Sequence, residues 1–314
     1  MVALLQVDRS RYHPSDFSVC RDAGAGVGGV QFDAKSLIII GDMHGSWNQL
    51  DVDYFSQFPE SLLLFVGDLG HGTKRSDLEL VASLAQLRGP ALIMPGNNDA
   101  LHLGALSAEL TYQMGRRRIL ETFKTVEIDF CGYSLHRLRL AGRDYSLISA
   151  RPCPMGGSDF SFPGLLKERH LVDSLERSAE ALRALVDRSE DERLIFLAHN
   201  GPRGLGGNSN DIWGRDFSLP GHADSDWGDS DLSDAIAYAK RQGKQVDAVI
   251  AGHMHRGRRQ NGRPLEVKVD GTLYVNGAVV PRIRGSDQGE LHHYSEMNLV
   301  DNQLEVSEYW VTLD

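Results

Sequence analysis

The sequence predicts an α/β domain assembled from βαβ units, with its functional groups gathered at strand ends. Two observations predict it. Five apolar runs, at 37–40, 62–66, 91–94, 194–198 and 246–251, have strand length and are apolar on both faces, as strands buried inside a sheet are. Each run stops at a short cluster of glycine with aspartate, asparagine or histidine, and residues at helical spacing fill the intervals between the first three.

The first run, Leu37 to Ile40, closes on Gly41-Asp42-Met43-His44-Gly45. Asp42 and His44 alternate around Met43, so both side chains can point the same way on an extended or turning chain. A carboxylate oxygen and an imidazole nitrogen together suit a first-row divalent ion. Taken alone, Asp-x-His at a strand end is more often an ordinary exposed turn. Segment 46–58 then reads as a helix ending at Pro59. The second run, 62–66, closes on Gly67-Asp68. Leu78, Val81, Leu84 and Ala85 mark a helix over 77–87, started by Ser76. The third run, 91–94, closes on Pro95-Gly96-Asn97-Asn98-Asp99.

The middle of the chain changes pattern. Stretches 125–130, 133–140 and 145–150, with Gly132 and Gly142 at the turns, read as antiparallel strands. A helix is expected over 175–186, with a charged, solvated face. The fourth run, 194–198, delivers His199 and Asn200, and the fifth, 246–251, delivers Gly252-His253-Met254-His255. A His-x-His pair brings two imidazoles to one place, as metal sites require. Short antiparallel strands are expected at 265–269, 272–276, 293–299 and 304–311. No internal repeat or linker separates two domains. The expected organisation is an N-terminal extension of unknown role over 1–36, then one domain over 37–314 with a long loop at 203–231.

Composition narrows the function. Hydrophobic content of 41% and charged content of 24% are those of a globular protein, and no apolar run is long enough to span a bilayer. A formal charge of -10 argues against an extended nucleic-acid surface but not against a phosphate substrate, because bound cations can reverse the local sign. Leu4-Leu5 is too short for a signal core, and Asp8, Asp16, Asp22 and Asp33 argue against an acid-poor transit peptide. Three scattered cysteines, Cys20, Cys131 and Cys153, form no disulfide framework and fit a reducing compartment, so a cytoplasmic location is expected.

Collected, Asp42, His44, Asp68, Asn97, His199, His253 and His255 offer oxygen and imidazole donors and no thiolate, a mixture for manganese, iron or zinc. Seven donors exceed one ion's needs and suffice for two if a carboxylate bridges. The ordered blocks Asp42-x-His44, Gly67-Asp68, Gly96-Asn97-x-Asp99, His199 and Gly252-His253-x-His255 resemble the calcineurin-like metallophosphoesterases. Each block is weak alone; together they are specific and span about 37–276. The resemblance implies a sandwich of two mixed β-sheets flanked by helices, with a dinuclear site at the strand ends. It implies that Asp42, His44 and His255 hold one ion, that Asn97, His199 and His253 hold the other, and that Asp68 bridges. A hydroxide activated by the two ions would then attack a phosphate ester.

The chain departs from the family where many members carry Gly-Asn-His-Asp/Glu: Asn98 occupies the histidine's position. An amide can hydrogen-bond a phosphoryl oxygen but cannot supply a proton. Some members with Cys or Asn there resemble working phosphodiesterases, while the family's retromer subunit is mainly a scaffold. The expected function is therefore hydrolysis of phosphodiesters or nucleotide-like esters of small molecules. Phosphomonoesterase or protein phosphatase activity, and a non-catalytic interaction module, are the alternatives. Asp99 either orients Asn98 or caps the following helix. In the 203–231 loop, Arg203 and Arg215 are candidate phosphate clamps. Trp213 and Trp227 either stack on a base or pack on the body. His71, His102 and His222 are candidate substitutes for the missing acid.

Overall fold

A computed structural model describes residues 30–70, 80, 82–100, 131–215, 225–257 and 262–313. In chain order the strands are β1 (Gln31–Ala34), β2 (Leu37–Ile40), β3 (Leu62–Phe65), β4 (Ala91–Ile93), β5 (Ser134–Leu140), β6 (Arg143–Ser149), β7 (Arg193–Leu197), β8 (Gln245–Ala251), β9 (Glu266–Val269), β10 (Thr272–Asn276), β11 (Ile283–Ser286), β12 (Gly289–Val300) and β13 (Gln303–Thr312). The helices are α1 (Gln49–Phe55), α2 (Asn97–Ala100), α3 (Pro163–His170), α4 (Leu175–Arg188) and α5 (Ser230–Arg241).

The strands form two sheets, as the resemblance implies. One runs β1-β5-β6-β7-β8-β10-β9, and the other β11-β12-β2-β3-β4 with β13 paired to β12. Neighbours β2, β3 and β4 are parallel, as are β6, β7, β8 and β10. The period-two alternation of a strand assigns each side chain to a layer. Leu37 and Ile39 of β2 meet Leu147, Ile195 and Ile250 of the other sheet in the central core. Ile38 and Ile40 turn outward onto Val52 and Phe55 of α1 and onto Leu80 and Leu84. On the opposite outer face, Leu194, Phe196 and Val249 pack on Leu182, Leu185 and Val186 of α4 and on Ala235 and Ile236 of α5. The result is a helix-sheet-sheet-helix sandwich. Among the described residues no helix is long and apolar enough to cross a membrane.

Local chemistry sets the helix starts. Asn48 caps α1 through a reciprocal box in which its side chain accepts from Leu50 N at 2.9 Å while Asp51 accepts from Asn48 N at 3.0 Å. The helix expected over 46–58 therefore starts later, because the preceding residues belong to the turn. Ser174 caps α4 by accepting from Arg177 N.

Part of the stretch expected as an N-terminal extension over 1–36 joins a sheet. Gln31–Ala34 forms β1, paired in parallel with β5, and Phe32 and Ala34 are buried in the central core. Charged Asp33 and Lys35 broke the apolar run that would have signalled a strand, but β1 is an edge strand whose alternate residues face water. The expected strand at 125–130, most of the expected helix at 77–87, and His71, His102 and His222 lie outside the described residues.

Candidate metal centre

Five strand ends deliver the candidate ligands to the edge where the two sheets meet. Asp42 and His44 follow β2, Asp68 follows β3, Asn97 opens the turn after β4, His199 follows β7, and His253 and His255 follow β8. Glycine makes the convergence possible. A Cβ on Gly41 would collide with the Gly277 carbonyl, one on Gly252 with the Asp42 carboxylate, and one on Gly67 with the His199 ring. His44, Asp68 and His253 have φ of 43°, 51° and 67°, an uncommon region for residues with a side chain. Such strain persists where surrounding structure over-determines it, and it clusters at functional sites.

Two groups of donor atoms form, each with all its atoms within 4.8 Å of one another: Asp42, His44, Asp68 and His255; and Asp68, His199 and His253. Asp68 belongs to both. In the first group His255 Nε2 lies 3.2 Å from Asp42 Oδ2 and 3.0 Å from His44 Nε2. In the second, His199 Nε2 lies 3.5 Å from Asp68 Oδ1, 3.0 Å from Asn97 Oδ1 and 3.2 Å from His253 Nδ1.

Hydrogen bonds behind the imidazoles indicate which nitrogens are left for a ligand. His199 Nδ1 donates to the Val66 carbonyl at 2.6 Å, leaving a lone pair on Nε2. His253 Nε2 donates to the Met155 carbonyl at 3.2 Å, leaving one on Nδ1. These two nitrogens and Asn97 Oδ1 face one another at contact distance, an arrangement that a positive charge between them stabilises, be it a proton on His199 Nε2 or a bound cation. Outer hydrogen bonds of this kind orient metal-binding histidines. The field agrees. Burial opposes charge on His199, yet Asp68 and Asp42 carry its pKa above the ordinary histidine value. Burial likewise pushes the Asp42 carboxyl up, but a hydrogen bond from His255 and the neighbouring histidines bring it net well below the carboxylate range. Burial, then His199, pull His253 down to about 4, so it stays neutral and able to ligate. The donor set fits divalent cations.

Asn98 sits beside the shared carboxylate. Its backbone N–H donates to Asp68 Oδ1 at 2.8 Å and its side-chain Nδ2 to Asp68 Oδ2 at 2.6 Å. Asp99 is buried and accepts from the backbone N–H groups of Leu69 (2.9 Å), Gly70 (3.4 Å) and Gly96 (2.8 Å). It ties the loops after β3 and β4 together. Arg203 is exposed at the surface. Arg215, the other expected clamp, is 3% exposed, with its guanidinium 5.5 Å over the Trp227 ring. The tryptophans pack on the body. Trp213 is fully buried and donates to the Gly252 carbonyl at 3.2 Å, and Trp227 lies against Gly156 and Gly157.

The Met155 loop was not anticipated. Its carbonyl accepts from His253 and also from Trp227 Nε1 at 2.8 Å, so the long loop braces a candidate ligand from behind. Only the Gly156-Gly157 pair after β6 hinted at it in the sequence.

A family model for calcineurin-like phosphoesterases matches residues 35–257. No curated protein matches the chain. Among solved structures, TT1561 of Thermus thermophilus is similar at 14% identity over 87% of this chain and 98% of that one, with a TM-score of 0.50. A phosphopantetheinyl hydrolase, PptH, from Mycobacterium tuberculosis is 14% identical over 80% of this chain and 91% of its own, with a TM-score of 0.45. An archaeal phosphodiesterase is 13% identical over 88% and 99%, with a TM-score of 0.37. At these identities the likeness to TT1561 concerns the fold alone, and the two lower scores add nothing to it. The family match spans the greater part of the chain and holds all five ligand blocks: the chain belongs to the calcineurin-like phosphoesterase family.

Proposed function

We propose that this protein hydrolyses phosphate esters of small molecules with two divalent ions, manganese or iron first and zinc next, and that it favours phosphodiesters or nucleotide-like esters. The observation that carries the reading is Asp68, whose carboxylate is shared by both donor groups. Asp42, His44 and His255 would hold one ion and Asn97, His199 and His253 the other. When bound, such ions supply Lewis acidity toward a phosphoryl oxygen and a nucleophilic water at neutral pH.

The chain's own groups do the rest. One N–H of the Asn98 amide holds Asp68, which leaves the second for a phosphoryl oxygen. Neither can be given up as a proton. His253 Nε2 is committed to Met155, so it does not serve as the acid. The leaving oxygen takes its proton from solvent, or needs none, which favours esters of acidic alcohols and diesters with good leaving groups. Arg203, exposed at the start of the long loop, is available to a distal phosphate or carboxylate of the substrate. The net charge of -10 argues against a nucleic-acid duplex and does not exclude a small phosphate ester, because bound cations reverse the local sign.

The test is turnover of an aryl phosphodiester and an aryl phosphomonoester with added Mn²⁺, against Asp68→Asn. The expected result is metal-dependent turnover with the diester preferred, lost in the variant. No turnover of either ester would overturn the reading and favour an interaction module.

A further inference from the structure

The ties behind the first donor group run to a part of the chain beyond the family-matched stretch. Arg282, just before β11, is 1% exposed and uses its whole guanidinium. Nη1 donates to the Ser46 carbonyl at 2.9 Å, two residues after His44. Nη2 donates to Asp51 Oδ1 at 2.8 Å, and Nε and Nη2 both donate to the His293 carbonyl of β12 at 3.2 and 3.1 Å. Asp51 accepts a further bond from His292 Nδ1 at 2.9 Å, and the guanidinium lies 5.4 Å over the Trp47 ring. The turn that carries His44 is thereby strapped to β12.

A second strap holds the turn that carries His255. The next residue, Arg256, donates from its backbone to the Ala278 carbonyl at 2.7 Å, and its carbonyl accepts from Val280 N at 3.2 Å. Its Nη1 reaches the Asn276 carbonyl at 3.2 Å, and its Nη2 reaches Glu308 Oε1 on β13 at 3.0 Å. Glu308 is held in turn by His293 Nε2 at 2.8 Å. Gly41, beside Asp42, presses on the backbone of Gly277. All three ligands private to the first group are thus backed by residues 276–308.

The second group is backed differently. His199 leans on Val66, and His253 on Met155 and through it on Trp227. The two groups also touch: the Asn276 amide donates to the Met254 carbonyl between the two histidines at 2.8 Å, and the His253 backbone N–H donates to the Asp42 carboxylate at 3.1 and 3.2 Å.

We propose that Arg282 and Glu308 are positioning residues for the donor group of Asp42, His44 and His255 alone, so that the C-terminal strands tune one ion site and leave the other unchanged. The proposal rests on the reading of the two groups as ion sites. Partners behind metal ligands are worth about 10–100-fold in affinity each.

The experiment is calorimetric titration of the metal-free protein with Mn²⁺. The wild type is expected to take up two ions, and His44→Ala and Asn97→Ala identify which step belongs to which group. With the other group disabled by Asn97→Ala, Glu308→Ala and Arg282→Lys are expected to weaken the His44-dependent step by about 10–100-fold; in a His44→Ala background they are expected to leave the Asn97-dependent step within about threefold. Glu308→Gln, which keeps an acceptor for Arg256, is expected to restore most of the loss. Glu308 is part-exposed at the surface of β13, so its variants decide the matter even if the buried Arg282→Lys does not fold. Equal weakening of both steps, or no weakening of either, overturns the proposal. A wild type that binds no Mn²⁺ instead overturns the ion reading on which it rests.

Discussion

Asn98 is the residue at which this chain parts from many of its relatives, and its amide is already engaged with Asp68. Asn98→His would add a group able to donate a proton while keeping the backbone bond to Asp68. The expected outcome is a gain in kcat/KM that grows with the pKa of the leaving phenol, up to about 10² for the poorest leaving groups. A series of substituted phenyl esters measured on both proteins checks it; a gain equal for all of them would mean that the substitution acts on Asp68 instead. A second residue-scale prediction concerns Asp229. Arg151 bridges two buried carboxylates, Asp229 at 2.9 Å and Asp231 at 2.8 Å. Burial pushes Asp229 up to about 7 from 3.8, with Arg151 opposing and Asp231 reinforcing. The folded state therefore holds a proton that the unfolded state releases above about pH 4. This contribution to stability is full below that point, declines as pH rises toward 7, and is absent above it. Asp229→Asn should remove a slope of about 1.4 kcal/mol per pH unit between those limits. Denaturant melts at pH 5, 6 and 7 read the slope directly.

At the scale of elements, the parallel strands were the legible part. Burial on both faces leaves an unbroken apolar run, and a run that stops on glycine and a donor announces a strand end with a task. Hence β2, β3, β4, β7 and β8 and all seven candidate ligands could be read from the chain. Strand β1 could not be, since an edge strand alternates and its charges mask it. Nor could the backing of the ligands. Val66 and Met155 act through carbonyls, which every residue has, so the side-chain sequence carries no sign of them. For Trp213 and Trp227 the sequence left stacking on a base and packing on the body equally open, because a polar, glycine-rich stretch does not say which way its aromatics turn; both pack inward, onto β8 and the Met155 loop. The strand-end glycines yield a prediction of their own. Gly252→Ala places a methyl against the Asp42 carboxylate and 2.7 Å from Val66 Cγ2. Mn²⁺ affinity and turnover should fall by about tenfold or more while the circular dichroism spectrum is unchanged. Wild-type affinity in that variant would show that the strand ends have slack to spare.

For the molecule as a whole, the two sheets pack face to face and both supply strand ends to the candidate site. Asp42, His44, Asp68 and Asn97 come from one sheet and His199, His253 and His255 from the other. The C-terminal strands complete the second sheet by pairing β12 with β2, and they carry the polar straps behind the first donor group. The two-sheet architecture was implied by resemblance, whereas the straps were invisible because nothing in the sequence sets Arg282 and Glu308 apart from other charged residues. One consequence of the shared Asp68 reaches past chemistry to supply. A carboxylate that serves two ions links their equilibria, and each ion must then change the other's affinity by the same factor. If the first ion fixes Asp68 in a geometry that suits the second, half-loaded protein is scarce and activity climbs more steeply than the free-metal concentration. Turnover against buffered Mn²⁺ is then expected to follow a Hill coefficient between about 1 and 2, while direct Mn²⁺ binding to Asn97→Ala, which keeps one donor group whole, is expected to follow a coefficient of about 1. A chain so built would respond to the metal pool as a threshold: silent in scarcity, and working across a narrow rise in abundance.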